Sequence, residues 1–177
     1  MEIEKKFKAS IDFNKVRKIL LDQGFTEKGT SHQIDTYFIV NEIINGKEIY
    51  LRQRKDVTNN KYSFDFHEII SNLSTLETEI ETSAEEYNKL NYIMQGLNYT
   101  IKAIVDKTRI KFDNDECKIV LDNITNLGTF IEIEVEGENE SIALPILQKY
   151  QNILSLKNED LIIGCGYPDL IIQNNKK

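Results

Sequence analysis

Charged residues recur two positions apart on one segment after another, and this spacing constrains the fold more than any other feature of the chain. In Met1-Glu2-Ile3-Glu4-Lys5-Lys6-Phe7 an extended backbone puts Glu2, Glu4 and Lys6 on one face and Ile3, Lys5 and Phe7 on the other, because strand side chains alternate. The pattern returns in Arg52 and Arg54, in Glu79 and Glu81 with Glu77 in phase, in Lys107, Arg109 and Lys111, and in Glu132, Glu134 and Glu136. Asp35 with Tyr37, and Lys118 with Asp122, supply two more polar faces. Ile3, Leu51, Ile80, Ile110, Ile131 and Ile133 alternate with them. Any single row fits a sheet with one wet face. Acidic and basic rows, however, occupy different segments, as separate sites for cations and anions require. Helices covering the apolar faces would leave the charged faces lining a tunnel. Buried charge is costly unless paired or bound to a ligand, so such a tunnel implies an ionic cargo.

Residues 1–9 read as a strand, followed by a helix capped by Asp12 or Asn14, running to about Gln23 and stopped by Gly24. Further strands are expected over residues 31–40, 47–55, 61–69, 76–82, 100–112, 116–124 and 129–135. Asn45-Gly46 is a hairpin signal, and Thr58-Asn59-Asn60, Asn114-Asp115 and Asn126-Leu127-Gly128 mark other turns. Ser83-Ala84-Glu85-Glu86 is a capping box that opens a helix to about Gln95, closed by Gly96. Glu138 or Ser141 starts another helix to about Leu154, with Pro145 expected in its first turn. Asn158 is expected to cap a last short helix, Gly164-Cys165-Gly166 to turn the chain, and the tail from Asn174 to fray. About eight strands joined mostly by hairpins, with three or four helices, describe an α+β fold dominated by an antiparallel sheet. One polar face on so many strands points to a closed eight-stranded barrel or a strongly curved sheet.

The 177 residues fit one domain. A net charge of −7 argues against nucleic acid or an anionic membrane as partner. Cys117 and Cys165 are too few for a disulfide framework, and Cys117 is expected to be a small buried residue. The charged N-terminus has no apolar stretch of a signal peptide, and no apolar run reaches the roughly 18 residues of a membrane span. A cytoplasmic location is therefore expected, and a homodimer is left open.

The residue types name the cargo. Lys6, Arg52, Arg54, Lys107 and Arg109 suit phosphate, arginine through planar bidentate contacts and lysine as a point charge. Glu2, Glu4, Asp122, Glu132 and Glu134 offer hard oxygens for Mg²⁺ or Mn²⁺. Together they suit a metal-bound triphosphate. Neither GxxxxGK[ST] nor GxGxxG occurs, so side chains replace a backbone phosphate cradle. His32 and His67 are far apart and show no zinc spacing.

Taken in order, these motifs resemble those of the CYTH superfamily, the triphosphate tunnel enzymes that include class IV adenylate cyclases and thiamine triphosphatases. Glu2, Glu4 and Lys6 match the first-strand ExExK. Asp35-Thr36-Tyr37-Phe38 resembles the second-strand motif of the cyclase branch, Leu51-Arg52-Gln53-Arg54 the LRxR, and Lys107-Thr108-Arg109 the KxR. Leu121-Asp122 followed by Leu127-Gly128-Thr129-Phe130-Ile131-Glu132-Ile133-Glu134 resembles the LD…LGxFxEIE segment. Gly166-Tyr167-Pro168-Asp169-Leu170-Ile171 resembles the C-terminal SYxDLL. The resemblance covers nearly the whole chain and implies the triphosphate tunnel fold. It implies that Glu2, Glu4, Glu132 and Glu134, with Asp122, hold divalent metals, and that Lys6, Arg52, Arg54, Lys107 and Arg109 hold phosphates. Glu2, Glu4 and Lys6 are the implied catalytic group. The chain departs from the family at two points. His67 stands where a fourth-strand lysine is usual and is expected to contact phosphate when protonated, while Glu77 or Leu76 replaces a fifth-strand arginine. Glu79, Glu81 and Tyr37 are further candidates.

Three readings follow. A class IV-type adenylate cyclase would convert ATP to cyclic AMP and pyrophosphate. A triphosphatase would hydrolyse tripolyphosphate, thiamine triphosphate or a nucleotide. A non-catalytic protein would only bind triphosphate.

Overall fold

The computed structural model describes residues 1–39 and 49–176. The period-2 charge pattern becomes strand after strand of one antiparallel sheet. β1 (Glu2–Lys8) leads to α1 (Phe13–Asp22), then β2 (Thr26–Phe38), β3 (Ile49–Asp56), β4 (Lys61–Ile69) and β5 (Ser74–Thr82). After α2 (Ala84–Gly96) come β6 (Ile101–Asp113), β7 (Lys118–Ile124), β8 (Gly128–Glu136) and α3 (Glu140–Ile153). A 3-10 turn (Asn158–Asp160), the short β9 (Leu161–Ile162) and α4 (Tyr167–Asn175) follow. The strands hydrogen-bond in the order β5-β4-β3-β2-β6-β7-β8-β1, and β1 pairs back onto β5 through Glu2↔Thr75 and Ile3↔Ser74. Eight strands thus close into a barrel, with four helices around it and β9 added to β1.

β1 shows how alternation builds two environments. Ile3 and Phe7 are fully buried in the main core outside the barrel, against Val16 and Leu20 of α1 and Leu147 of α3. Burying each such side chain contributes roughly 1.5–3 kcal/mol. Ile119, Leu121, Ile131 and Ile133 join the same core from β7 and β8. Glu2, Glu4 and Lys6, one residue out of phase, face the lumen. Lys5 shares the outward face, and its ammonium escapes the core by donating to Gln148 and Gln151 of α3, at 3.1 and 2.8 Å.

Local signals behave as chemistry dictates at several ends. Asp12 Oδ1 accepts from Asn14 N–H at 2.9 Å and caps α1, and Ser83 with Glu86 forms the capping box of α2. Cys117 is buried, and burial pushes its thiol up to about 12. Elsewhere tertiary pairing overrides the local reading. β2 begins at Thr26, because the long β6 gives even this polar stretch a ladder partner, with a register shift between Glu27 and Gly29 and φ +109° at Gly29. Gly96 lies inside α2, and the left-handed residue beyond it is Asn98. Asn139 caps α3, and Pro145 lies in the interior of that helix. Burial of Ala143, Leu147 and Tyr150 carries the helix across it. The stretch from Asn158 is a 3-10 turn, and the fourth helix starts only at Tyr167, with Pro168 in its first turn. The Asn45-Gly46 signal lies outside the described residues. Among the described residues, no helix is long and apolar enough to cross a membrane.

Candidate active site

The barrel encloses a cavity of about 490 Å³. Glu2, Glu4, Lys6, Tyr37, Arg52, Arg54, His67, Glu77, Glu79, Lys107, Arg109, Glu132 and Glu134 line it. Every one of the basic residues expected to hold phosphate is therefore on one lumen.

On the wall formed by β1, β6, β7 and β8, register does the assembly. Glu4 pairs with Glu134 and Lys6 with Glu132 across the β1–β8 ladder, and Arg109 stands opposite Asp122 across β6–β7. One oxygen each from Glu4, Glu132 and Glu134 lies within 4.8 Å of the others. Lys6 Nζ bridges Glu4 and Glu132 at 3.2 and 3.0 Å. Arg109 donates from Nε and Nη2 to the two oxygens of Asp122, at 2.7 and 2.5 Å, and from Nη2 to Glu132 at 2.6 Å. Tyr167, from the start of α4, donates to Asp122 at 3.0 Å, and Lys6 Nζ lies 4.5 Å from its ring centroid. Both Asp122 oxygens are thus taken by Arg109 and Tyr167, and Asp122 stands apart from the three-carboxylate group. Glu2 lines the lumen nearby without joining that group.

Titration follows from this crowding. Burial, together with Glu2, Glu132 and Glu4, raises the Glu134 carboxyl well above its ordinary value, against the pull of Arg109. Burial also raises Glu4, with Glu132 and Glu2 adding to the effect and Lys6 opposing it. Burial works to raise Glu132 too, but Lys6, Arg109 and Lys107 hold it low. Burial works to lower Lys6, yet Glu132 and Glu4 keep it above its usual range, so it stays an ammonium.

The wall formed by β2 to β5 carries the other cations. Arg54 makes a bidentate pair with Asp35 at 2.7 and 2.8 Å, and Lys107 Nζ lies 3.1 Å from the same carboxylate. Arg52 donates from Nε to Asp65 and from Nη2 to Glu77, both at 2.6 Å. A guanidinium has five N–H donors, so each arginine keeps donors for an anion while a carboxylate fixes its plane. Burial, Arg109 and Arg54 push the Lys107 ammonium down to about 8. Burial, Arg52 and Arg54 push His67 down to about 3. In the free protein these effects favour the neutral imidazole of His67, which keeps one ring N–H to donate. Glu79 lines the lumen but is exposed, whereas Glu81 is exposed and outside the cavity lining.

Sequence reading passed over Asp65. Its signal was available, because it is in phase with His67 in an otherwise aromatic alternation. Its role as the partner of Arg52 needs the β3–β4 register. Tyr167 was visible only as part of a resemblance. Lys102, 2.7 Å from Asp169 and 4.5 Å from the ring of the cavity-lining Tyr50, carried no sequence signal.

The profile of the CYTH domain family matches residues 1–163. The chain belongs to the CYTH domain family. Fifty-one solved chains match its structure. One is the PH1012 protein of Pyrococcus horikoshii, 25% identical with a TM-score of 0.85, over 96% of this chain and 99% of that one. A candidate adenylate cyclase of Vibrio parahaemolyticus is 14% identical with a TM-score of 0.75, over 97% of each chain. A candidate adenylyl cyclase of Hippeastrum, described as having a dominant triphosphatase activity, is 14% identical with a TM-score of 0.66, over 99% of this chain and 95% of that one. The last two likenesses establish a common fold. No curated protein matches.

As members of a CYTH tunnel, the carboxylates of Glu4, Glu132 and Glu134 fit a hard divalent cation. They are three converging oxygen donors, and burial together with mutual repulsion already raises two of them. A cation would relieve that repulsion.

Proposed function

We propose that this protein is a metal-dependent enzyme acting on a triphosphate in its tunnel, with the conversion of ATP to cyclic AMP and pyrophosphate as the first reading. The observation that carries it is one enclosed lumen in which Lys6, Arg52, Arg54, Lys107 and Arg109 face a three-carboxylate cluster. Glu4, Glu132 and Glu134 would hold Mg²⁺ or Mn²⁺, with Glu2 beside them. The ion would neutralise charge on phosphate oxygens, as metals do in phosphoryl and nucleotidyl transfer. The chain's own part is to grip and align. Arg52 and Arg54, held on Asp65 and Asp35, would direct their remaining N–H groups at phosphate oxygens, Lys6 and Lys107 would add point charges, and Asp122 would orient Arg109. In cyclisation the ribose 3′-hydroxyl gives up its proton to solvent, its oxygen bonds to the α-phosphorus while the bond from that phosphorus to the bridging oxygen breaks, and pyrophosphate leaves with the electron pair.

An organic triphosphate fits the cavity better than tripolyphosphate alone. One end is lined by Tyr50, Ile69, Leu73, Ile162 and Pro168, apolar surface that phosphate does not use. The other end favours a second reading, hydrolysis. There Lys111 continues the Lys107–Arg109 row into solvent, with no ion-pair partner among the described residues, so a terminal phosphate beside it would be open to water. Phosphorus NMR of protein with Mg²⁺ or Mn²⁺ and ATP, and separately tripolyphosphate, tests both. Cyclic AMP with pyrophosphate supports the cyclase, orthophosphate without cyclic AMP supports hydrolysis, and no turnover overturns an enzymatic role.

A further inference from the structure

A second group of ligand-type side chains converges on β4 and β5, around the barrel from the three carboxylates and past the β1–β5 closure. Asp65, His67 and Glu77 each present one nitrogen or oxygen, and these atoms lie within 4.8 Å of one another. Strand register builds the group. Asp65 and His67 share the inward face of β4, and His67 stands directly opposite Glu77 across the β4–β5 ladder.

Two of its atoms are orphans. Asp65 Oδ1 and His67 Nε2 are buried without a hydrogen-bond partner among the described residues, and the Asp65 side chain is 0% exposed. His67 Nε2 is 3.4 Å from Glu77 Oε1 without hydrogen-bond geometry. Buried polar atoms nearly always have partners, and an acceptor oxygen and an imidazole nitrogen left bare in one three-residue group are donors that a cation would satisfy. Arg52 reinforces this. It holds Asp65 through Oδ2 and Glu77 through Oε1, as outer-shell donors orient metal-ligating carboxylates, and leaves Asp65 Oδ1 uncommitted.

The charge balance admits a cation. Two carboxylates meet one guanidinium here, while Arg54 and Lys107 are held on Asp35. Asp65 and Glu77 thus share the single guanidinium of Arg52.

We propose that Asp65, His67 and Glu77 bind a divalent transition metal of the Zn²⁺, Co²⁺ or Mn²⁺ class, at a site separate from the carboxylates of β1 and β8. An imidazole with two carboxylates is a borderline donor set, better suited to these ions than to Mg²⁺. Three protein ligands leave a coordination position open, and His67 and Glu77 line the lumen, so that position is available to a ligand there. The site stands on geometry alone and is independent of which triphosphate reaction occurs.

The test is metal binding to the purified, metal-stripped protein, followed by visible absorption of Co²⁺ and by the Zn²⁺ equivalents retained against a chelator. Glu134→Gln should keep the nitrogen-ligated Co²⁺ bands, and zinc-edge X-ray absorption of that variant should show one imidazole. His67→Gln should lose at least about tenfold in affinity at this site, since even the partners that orient metal ligands are worth that much, with Asp65→Asn behaving alike. His32→Gln, which removes the other imidazole, should change nothing. Loss of the bands in Glu134→Gln, their survival in His67→Gln, or no imidazole in the zinc spectrum would each overturn the proposal. The spectrum of Glu134→Gln decides the matter even if the β4 variants fail to fold.

Discussion

The two walls of the tunnel carry similar charge clusters on unlike foundations. Behind Glu4, Glu132 and Glu134 lies a dry core: Ile3, Phe7, Leu121, Ile131 and Ile133 are fully buried under α1 and α3. Behind Asp65, His67 and Glu77 the outward face is thinly covered. Ile80 is 59% exposed, Leu76 is 41% exposed, and α2 buries only Met94. The first wall can hold like charges at close range because dense packing keeps its strands from moving apart. Both walls pair their carboxylates with cations, but the second holds Asp65 and Glu77 through Arg52 with far less packing behind it. A barrel can thus keep one stiff side for the costlier cluster and one softer side.

The largest expected effect tests the stiff wall's chemistry. Glu134→Gln, or Glu4→Gln, should lower metal-dependent turnover by more than about 100-fold, with an unchanged circular dichroism spectrum. Equal activity in both variants would remove the metal assignment. Next comes the foundation itself. Phe7→Ala should cost about 3–5 kcal/mol in denaturant unfolding, whereas Ile80→Ser on the softer wall should cost under about 0.5 kcal/mol. Similar values for the two would erase the contrast between the walls.

Arg52→Ala should weaken triphosphate binding by about tenfold or more, measured calorimetrically, and should also lower the melting temperature because buried Asp65 loses the guanidinium paired with it. An unaltered dissociation constant would leave Arg52 a purely structural residue. The smallest effects are pH-dependent and separate the walls once more. Because burial and neighbouring glutamates raise Glu134, a metal competes there with a more tightly bound proton, so Mg²⁺ affinity should climb with pH by up to about tenfold per unit until that carboxyl ionises. Lys107 runs the other way. It is charged below about 8, so triphosphate binding should weaken as pH rises through that value, and Lys107→Gln should flatten that limb. A binding curve that keeps its slope in Lys107→Gln would exclude this lysine as the titrating group.

Much of this was legible in the chain. The rows at Glu2/Glu4/Lys6, Arg52/Arg54, Lys107/Arg109 and Glu132/Glu134 are period-2 patterns, and they all line the lumen. Caps at Asp12 and Ser83 were equally local. What escaped depended on neighbours distant in sequence: β2 extends to Thr26 only because β6 pairs with it, and α3 runs through Pro145 only because its buried face has a core to meet.

By itself the sequence determined which residues share a face, because alternation along a strand is set by backbone geometry within a few residues. It therefore determined the barrel's charged lining and the apolar coat. Only the tertiary structure decided which charges meet. Closure through β1–β5 and the registers that set Arg52 beside Asp65, Arg109 beside Asp122 and His67 beside Glu77 bring together groups far apart in the chain. Those pairings and the burial around them fix which groups ionise, because the energy of a charge depends on its partners and on the water it has lost.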